Sequence, residues 1–248
     1  MPDTSIASLK PRNHLLAALP PASLERLKPL LTSVEMPLRQ VLHSPDEPIE
    51  RVYFPETGWV SMLAVLEDGD CAEVGLTGRE GMVGLPVVLG ADREDVEAIV
   101  QCAGTALSAE ANAFRAELAA NPPLMSLLLR YALVHLGQIA RTAACNGHHV
   151  TEQRLARWLL MSHDRAESDE FPMTHEFLSL MLGVRRAGVS VAASVLQKAG
   201  LISYERGRIA ITDRPGLEAA SCECYGIARR ASDRLFHPHL SKRDRYRD

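Results

Sequence analysis

The sequence predicts an α+β fold: an antiparallel β-roll in the first half, a long helix in the middle, and a helical second half carrying a two-stranded wing. Three observations predict it. From Val34 to about Leu107, short runs with β-branched or aromatic residues alternate with turn signals. From Leu124 to about Asn146, apolar residues recur at helical spacing on two faces rather than one. From Thr174 to Ile211, two short helical patterns meet at a glycine and run into two short strands.

The 248 residues suit one large domain or two small ones, and 46% hydrophobic with 23% charged residues is enough to build a core. The net charge of -4 is unevenly spread. Residues 1–149 carry 11 Lys/Arg against 18 Asp/Glu, whereas residues 150–248 carry 16 against 13. An acidic front and a mildly basic rear suggest two modules with different partners. The five cysteines, Cys71, Cys102, Cys145, Cys222 and Cys224, form no CxxC and are odd in number, which predicts free thiols in a reducing, cytoplasmic setting. The start, MPDTSIASLKPRN, shows no secretory pattern. No uninterrupted apolar run reaches the ~18 residues a bilayer demands, so no membrane partner is expected. The richest run, Leu124 to Ile139, is broken by Arg130 and His135.

The elements follow in order. NHLLAALPPASLERLKPLL reads as two helical pieces around Pro20-Pro21, with Ser23 a candidate cap for the second. RVYFPETG, WVSMLAVLEDGD, CAEVGLTGREG and AIVQCAGTALSA read as strands of the roll, with Asp68-Gly69 as a hairpin turn and Gly75, Gly78, Gly81 and Gly84 as punctuation. Residues 109–120 form a short helix, stopped by Asn121-Pro122-Pro123, where a longer one starts. On that long helix Leu129, Leu133, Leu136, Ala140 and Ala143 make one stripe, and Leu127, Tyr131, Val134 and Gln138 make another. A surface helix needs one apolar stripe, so the second predicts a further partner, most simply another copy of the chain. Leu127, Tyr131, Val134 and Gln138 are assigned to that dimer contact. After Gly147 a helix runs from Thr151 to about His163, DRAESDEFP is an acidic loop, and Thr174 caps a helix to Leu182. Gly183 makes a turn, Arg185 to Ala199 is the next helix, and Gly200 closes it. LISYERG and RIAITD are two strands joined at Arg206-Gly207. The division is then 13–120 for the roll, 121–148 for the dimer helix, 149–215 for the winged helix-turn-helix and 216–248 for a helical tail ending in a frayed KRDRYRD.

Helix, glycine turn, helix and wing is the layout in which the second helix enters the DNA major groove. Phe177, Leu178 and Met181 give the first helix an inner face; Val184, Val189, Ala192, Val195 and Leu196 give the second one. That leaves Arg185 and Arg186 outward at the N-terminal end of the second helix, where this motif meets base edges. An arginine bidentate to guanine discriminates by roughly 1–3 kcal/mol. Thr174 at a helix N-terminus suits a phosphate, as do Arg206 and Arg208 on the wing. The full candidate DNA set is Thr174, His175, Glu176, Arg185, Arg186, Gly188, Val189, Ser190, Arg206 and Arg208.

The stretch LGVRRAGVSVAASVLQKAGLISYERGRI resembles the DNA-binding domain of Crp/Fnr family transcription regulators, and the order of roll, long helix and winged helix-turn-helix matches theirs up to about residue 215. The resemblance implies a roll of the cyclic-nucleotide-binding type, a homodimer, a palindromic operator in double-stranded DNA, contact with RNA polymerase, and an effector of unknown identity at the roll. In that family an arginine, a glutamate and a second arginine read bases. Arg186 matches the first, but Ala187 and Val191 stand at the other two positions, so the family's usual operator is not implied. Glu80 and Gly81 resemble the first part of its phosphate-binding cassette, and Arg93 falls near the second part. Glu94 and Asp95 follow Arg93 and would repel a cyclic phosphate, which argues against cyclic AMP. Scattered thiols argue against an iron–sulfur cluster, and nothing points to haem. Cys222-x-Cys224 is expected on a helix with its thiols pointing apart; His148-His149 and His237-x-His239 read as surface residues; so no metal ligand is assigned. Trp59 is assigned to core packing.

No GxSxG, HExxH, P-loop or dinucleotide fingerprint appears, so an enzyme is not expected. The alternative to a DNA reader is an interaction module whose winged helix binds a partner protein.

Overall fold

A computed structural model describes residues 10–67 and 69–236. Asp68 of the anticipated hairpin turn, the N-terminal residues 1–9, His237-x-His239 and the KRDRYRD tail lie outside the described residues. The chain opens with α1 (His14–Ala17), whose Asn13 cap accepts from the Leu15 and Leu16 amides. Then come α2 (Pro21–Leu27) and a 3₁₀ turn at Lys28–Leu30. Ser23 is not the cap of α2: Pro20 occupies that place, proline needing no amide donor there, and the Ser23 hydroxyl instead meets buried Asn121.

Seven strands follow as the roll: β1 (Thr32–Met36), β2 (Val41–His43), β3 (Arg51–Pro55), β4 (Trp59–Val65), β5 (Cys71–Thr77), β6 (Val96–Cys102) and β7 (Gly104–Glu110). They form two antiparallel sheets, β1-β7-β3 and β2-β6-β4-β5. Val34 opposes Ala106, Phe54 opposes Leu107, and Val60 lies between Val100 and Thr77. The tight hairpin between β4 and β5 is closed by the Leu66 amide on the Asp70 carbonyl, 2.8 Å. The short helix α3 (Leu85–Val88) starts at Gly84, whose φ of 93° is a left-handed conformation that favours glycine.

The helices α4 (Ala111–Ala120) and α5 (Pro122–His148) cover the roll. Phe54, Phe114, Leu124 and Leu128 join them in one buried cluster, each large side chain contributing roughly 1.5–3 kcal/mol. In length and apolarity α5 does meet the requirement of a membrane span, against the expectation from its interruptions. Its Leu124, Leu127, Leu128, Tyr131 and Ala132 are nonetheless buried within the fold.

The C-terminal part contains α6 (Thr151–His163), β8 (Glu170–Pro172), α7 (His175–Leu182), α8 (Arg186–Lys198), β9 (Ile202–Glu205), β10 (Arg208–Ile211), α9 (Arg214–Ala220) and α10 (Glu223–Phe236). The acidic loop anticipated before Thr174 therefore contains a strand. β8 pairs with β10 through Phe171–Ile209 and makes the wing three-stranded, in the order β8-β10-β9. Its core side chain, Phe171, is flanked by Glu170 and Pro172, and that brevity hid it from a periodicity argument.

The apolar stripes of α5 are reversed from their assignment. Leu127 and Tyr131 are buried, Val134 packs against the same cluster, and Gln138 donates to the Leu76 carbonyl at 3.2 Å. These four residues therefore serve the chain's own roll and tail. Leu129, Leu133 and Leu136 are the exposed ones, Leu133 at 72%.

Candidate nucleic-acid interface and its coupling to the roll

The reading head is built from a few local devices. Thr174 accepts from the Phe177 amide at 3.1 Å and so caps α7. Gly183, at φ 59°, ends α7 in the left-handed conformation. Arg154 of α6 donates to the Leu182 carbonyl and places a cation at the same helix end. The chain then turns by 107° into α8, within the range of a helix-turn-helix. Val189, Ala192, Ala193 and Leu196 of α8 pack against Leu178, Met181 and Trp158. The wing turn places Arg206 at φ 49° and Gly207 at φ 77°, the two left-handed residues of a type I′ turn.

This frame sorts the candidate DNA residues. Arg185, the N-cap of α8, and Arg186 are exposed, as are Thr174, Glu176, Arg206 and Arg208. Val189 is fully buried, so it is a core residue and not a base contact; helical spacing puts it on one face with buried Ala192, Ala193 and Leu196. Val195, assigned to the inner face, is instead 48% exposed, and Val191 shares that outer surface at 60%. His175 and Ser190 bond to each other, Nδ1 to Oγ at 3.0 Å, and the His175 ring stacks on Tyr204 at 4.1 Å. They tie the start of α7 to α8 and to the wing. Burial, and then the Arg186 charge, push the His175 ring below its ordinary range and favour the neutral form. A side chain added at Gly188 would meet nothing within 4 Å. Gly188 is therefore not required by packing inside this chain, and its bare backbone leaves room for an outside partner. Arg208 pairs with Glu170 across the wing.

The head is docked on the roll of its own chain. Trp59 and Phe171 meet edge to face at 6.0 Å, so the core role assigned to Trp59 extends across the junction. The Trp158 indole donates to Glu73 Oε1 at 2.8 Å, and Ser61 donates to Glu73 Oε2 at 2.6 Å. Glu73 is buried, and burial raises its carboxyl to about 7 against the pull of those two donors and of Arg157 and Arg165. A second link joins Glu80 to Arg165, whose Nε donates at 3.0 Å. Burial acts against the Glu80 carboxylate, yet Arg165 together with local backbone amides holds it below the usual range.

The candidate effector residues are dispersed. Glu80 is engaged with Arg165, Gly81 lies under the Tyr131 hydroxyl, and Arg93 is exposed and donates to the Asp46 carbonyl. They do not form one site. A small cavity of about 160 Å³ lies between the roll and α5, and its ionisable lining groups are Glu94 and His135. Burial pushes His135 down to about 4, so it is neutral at pH 7. A cyclic phosphate there would meet a carboxylate and no cation, so these residues do not fit a cyclic nucleotide. A larger cavity of about 710 Å³ opens where the roll, α5, α6 and α10 meet, with Arg79, Glu80, Arg141 and Arg165 in its lining.

Cys71 and Cys102 stay apart in the roll, but the other three thiols gather. Cys222 precedes α10 and Cys224 lies in its first turn, so the two do not point apart on one helix as anticipated. With Cys145 near the end of α5 and His149 just beyond it, they form one buried group. Burial pushes the Cys145 thiol up to about 12. Linear spacing gave no hint of this gathering, because it depends on the return of α10 along α5.

A cyclic-nucleotide-type roll followed by an exposed two-arginine helix and a wing defines a transcription regulator of the helix-turn-helix class. Residues 33–121 match the cyclic nucleotide-binding domain, and residues 153–220 match the Crp-like helix-turn-helix domain. The chain belongs to the Crp/Fnr family of transcription regulators. Its fold is similar to that of FixK2 from Bradyrhizobium japonicum, with a TM-score of 0.67 and 19% identity over 77% of this chain and 98% of the other. It is also similar to a Crp/Fnr family regulator from Eubacterium rectale, with a TM-score of 0.66 and 16% identity over 83% and 96%. A third similar structure is the c-di-GMP responsive global regulator CLP of Xanthomonas campestris, at 0.60 and 18% over 77% and 98%. No curated relative matches the chain.

Proposed function

We propose that the protein binds a two-fold-symmetric DNA site as a homodimer, in a cytoplasmic setting, with the N-terminal end of α8 in the major groove. The observation that carries this reading is the exposure of Arg185 and Arg186 at the start of a helix whose opposite face is locked into the head. Arg186 reads a base, Arg185 shares the reading or holds a phosphate, and Thr174, Arg206 and Arg208 set the register on the backbone. His175 and Ser190 position α8 rather than touch DNA. Leu129, Leu133 and Leu136 form the dimer seam along α5, since they are the apolar side chains that the chain leaves exposed there. Two heads so paired meet half-sites about one helical turn apart. Cyclic AMP is not expected as the effector, because a phosphate in the small roll cavity would meet Glu94 and a neutral His135 with no cation. The 710 Å³ cavity supports an effector site there, because it touches the roll, α5 and the Glu80–Arg165 link together.

Selection from a random DNA pool with the purified protein tests the reading. The expected product is an inverted repeat whose binding weakens steeply with salt. Loss of α8 function without enrichment of any DNA, together with capture of a protein partner through the same arginines, favours the interaction-module alternative.

A further inference from the structure

We propose that Cys145, His149, Cys222 and Cys224 bind one zinc ion as a Cys₃His site. The four potential ligand atoms all lie within 4.8 Å of one another. Cys145 Sγ and Cys222 Sγ are 3.5 Å apart, and Cys224 Sγ is 3.8 Å from His149 Nδ1. Zinc–sulfur bonds of about 2.3 Å in a tetrahedron put neighbouring sulfurs about 3.8 Å apart, close to the Cys145–Cys222 separation of 3.5 Å. An iron–sulfur cluster distributes its ligands over several irons and spreads them more widely, so a single ion suits this group.

The surroundings match the donor set. The other nitrogen of His149, Nε2, lies 3.2 Å from Glu223 Oε2, so a carboxylate orients the ring and leaves Nδ1 toward the thiols. The three cysteines are nearly fully buried, as a closed structural site requires. Arg157 supplies an independent observation. Its side chain is buried, its Nη2 has a hydroxyl partner on Thr142 rather than a carboxylate, and its Nε has no partner among the described residues. Three thiolates with one Zn²⁺ carry a net charge of −1, and the bond to Thr142 holds this guanidinium one helical turn from Cys145, where its charge can offset that. Binding releases three thiol protons to solvent and involves no change of oxidation state.

The site has a definite place in the fold. Cys145 and His149 lie at the end of α5, next to the start of α6, and Cys222 and Cys224 lie at the joint between α9 and α10. One ion therefore pins the tail helices to the hinge between the dimer helix and the reading head. This inference does not rest on the DNA-binding reading.

The test uses the full chain, purified under reducing conditions. Metal analysis after exhaustive dialysis is expected to give one zinc per chain, with neither iron nor inorganic sulfide. Replacement by cobalt is expected to give thiolate-to-metal charge-transfer absorption and tetrahedral d–d bands. Glu223→Gln keeps all four ligands and is expected to weaken zinc affinity about tenfold or more. Cys224→Ser is expected to lose the cobalt charge-transfer intensity of one thiolate. Stoichiometric iron and sulfide would overturn the single-ion site. So would a metal-free protein whose Cys145 and Cys222 form a disulfide or fail to take up zinc or cobalt when reduced.

Discussion

At the residue scale, the proposed DNA reading concentrates base contact on Arg186, because Ala187 and Val191 stand where the resemblance puts the other two readers. Arg186→Ala is expected to lower affinity for the preferred site by roughly 1–3 kcal/mol, about 5- to 150-fold, and to relax preference at one base pair of each half-site. Comparison of selected-site profiles for the two proteins measures both effects. Val189→Ala belongs to another class. It removes two methyl groups from a fully buried position and is expected to lower the unfolding midpoint in urea, with no change in which bases are preferred. Adjacent candidate positions thus separate by burial, which the sequence supplies only through its helical period. That period placed Val189 correctly in the inner set, yet grouping by sequence proximity also put it among the DNA contacts.

Elements give sharper contrasts. The three-stranded wing presents Arg208 already paired with Glu170 of β8. Both partners are half exposed, so the pair adds little to stability. On the proposed DNA reading it competes with phosphate for the guanidinium. Arg208→Ala is expected to weaken binding to all sequences about equally and to reduce the slope of log K against log salt by about 0.9. Glu170→Gln is expected to strengthen nonspecific binding, measured by fluorescence anisotropy on an unrelated duplex. On α5, Leu133→Asp places a charge on the exposed stripe and is expected to yield folded monomers by analytical ultracentrifugation. Leu127→Ala excavates the core and is expected to cost about 2–5 kcal/mol of stability.

The legibility of the fold follows the same division. The roll, α5, the helix-turn-helix and the tight wing turn at Arg206-Gly207 were readable because each is signalled by local period, glycine or cap chemistry. β8 was missed because a three-residue strand with a single inward residue has no period. The direction of the two α5 stripes was missed because both are apolar, and only the roll decides which of them is covered. The thiol group and the Glu73 junction unite residues about 75–85 positions apart, from Cys145 to Cys222 and from Glu73 to Trp158. No spacing rule within one element reaches that far.

At the scale of the whole molecule, the head and roll share a buried carboxyl. Glu73 titrates at about 7 in the folded chain and near 4.5 when unfolded. Between those values the folded state holds a proton that the unfolded chain has released. Stability contributed by this group is therefore present at low pH, falls as pH rises from about 4.5 to 7, and is level above that. The difference amounts to about 3 kcal/mol at most. Glu73→Gln fixes the uncharged form and can still accept from Trp158. It is expected to match the parent near pH 5 and to exceed it in stability at pH 8, as read from urea unfolding at both values. The same linkage reaches the DNA if the docked head must move for two heads to meet adjacent half-sites. Ionising Glu73 then weakens the docked state by burying a charge in the junction, although Trp158 still donates to it, while the Glu80–Arg165 link at the other end stays charged and intact. DNA affinity of the parent, with its general pH dependence taken from Glu73→Gln, is expected to be higher at pH 8 than at pH 6. Arg165→Ala releases the second link and is expected to raise affinity at both values, with faster amide exchange in β5 and α6. Equal affinities across pH for parent and Glu73→Gln would mean that the docked arrangement is already the one that reads DNA.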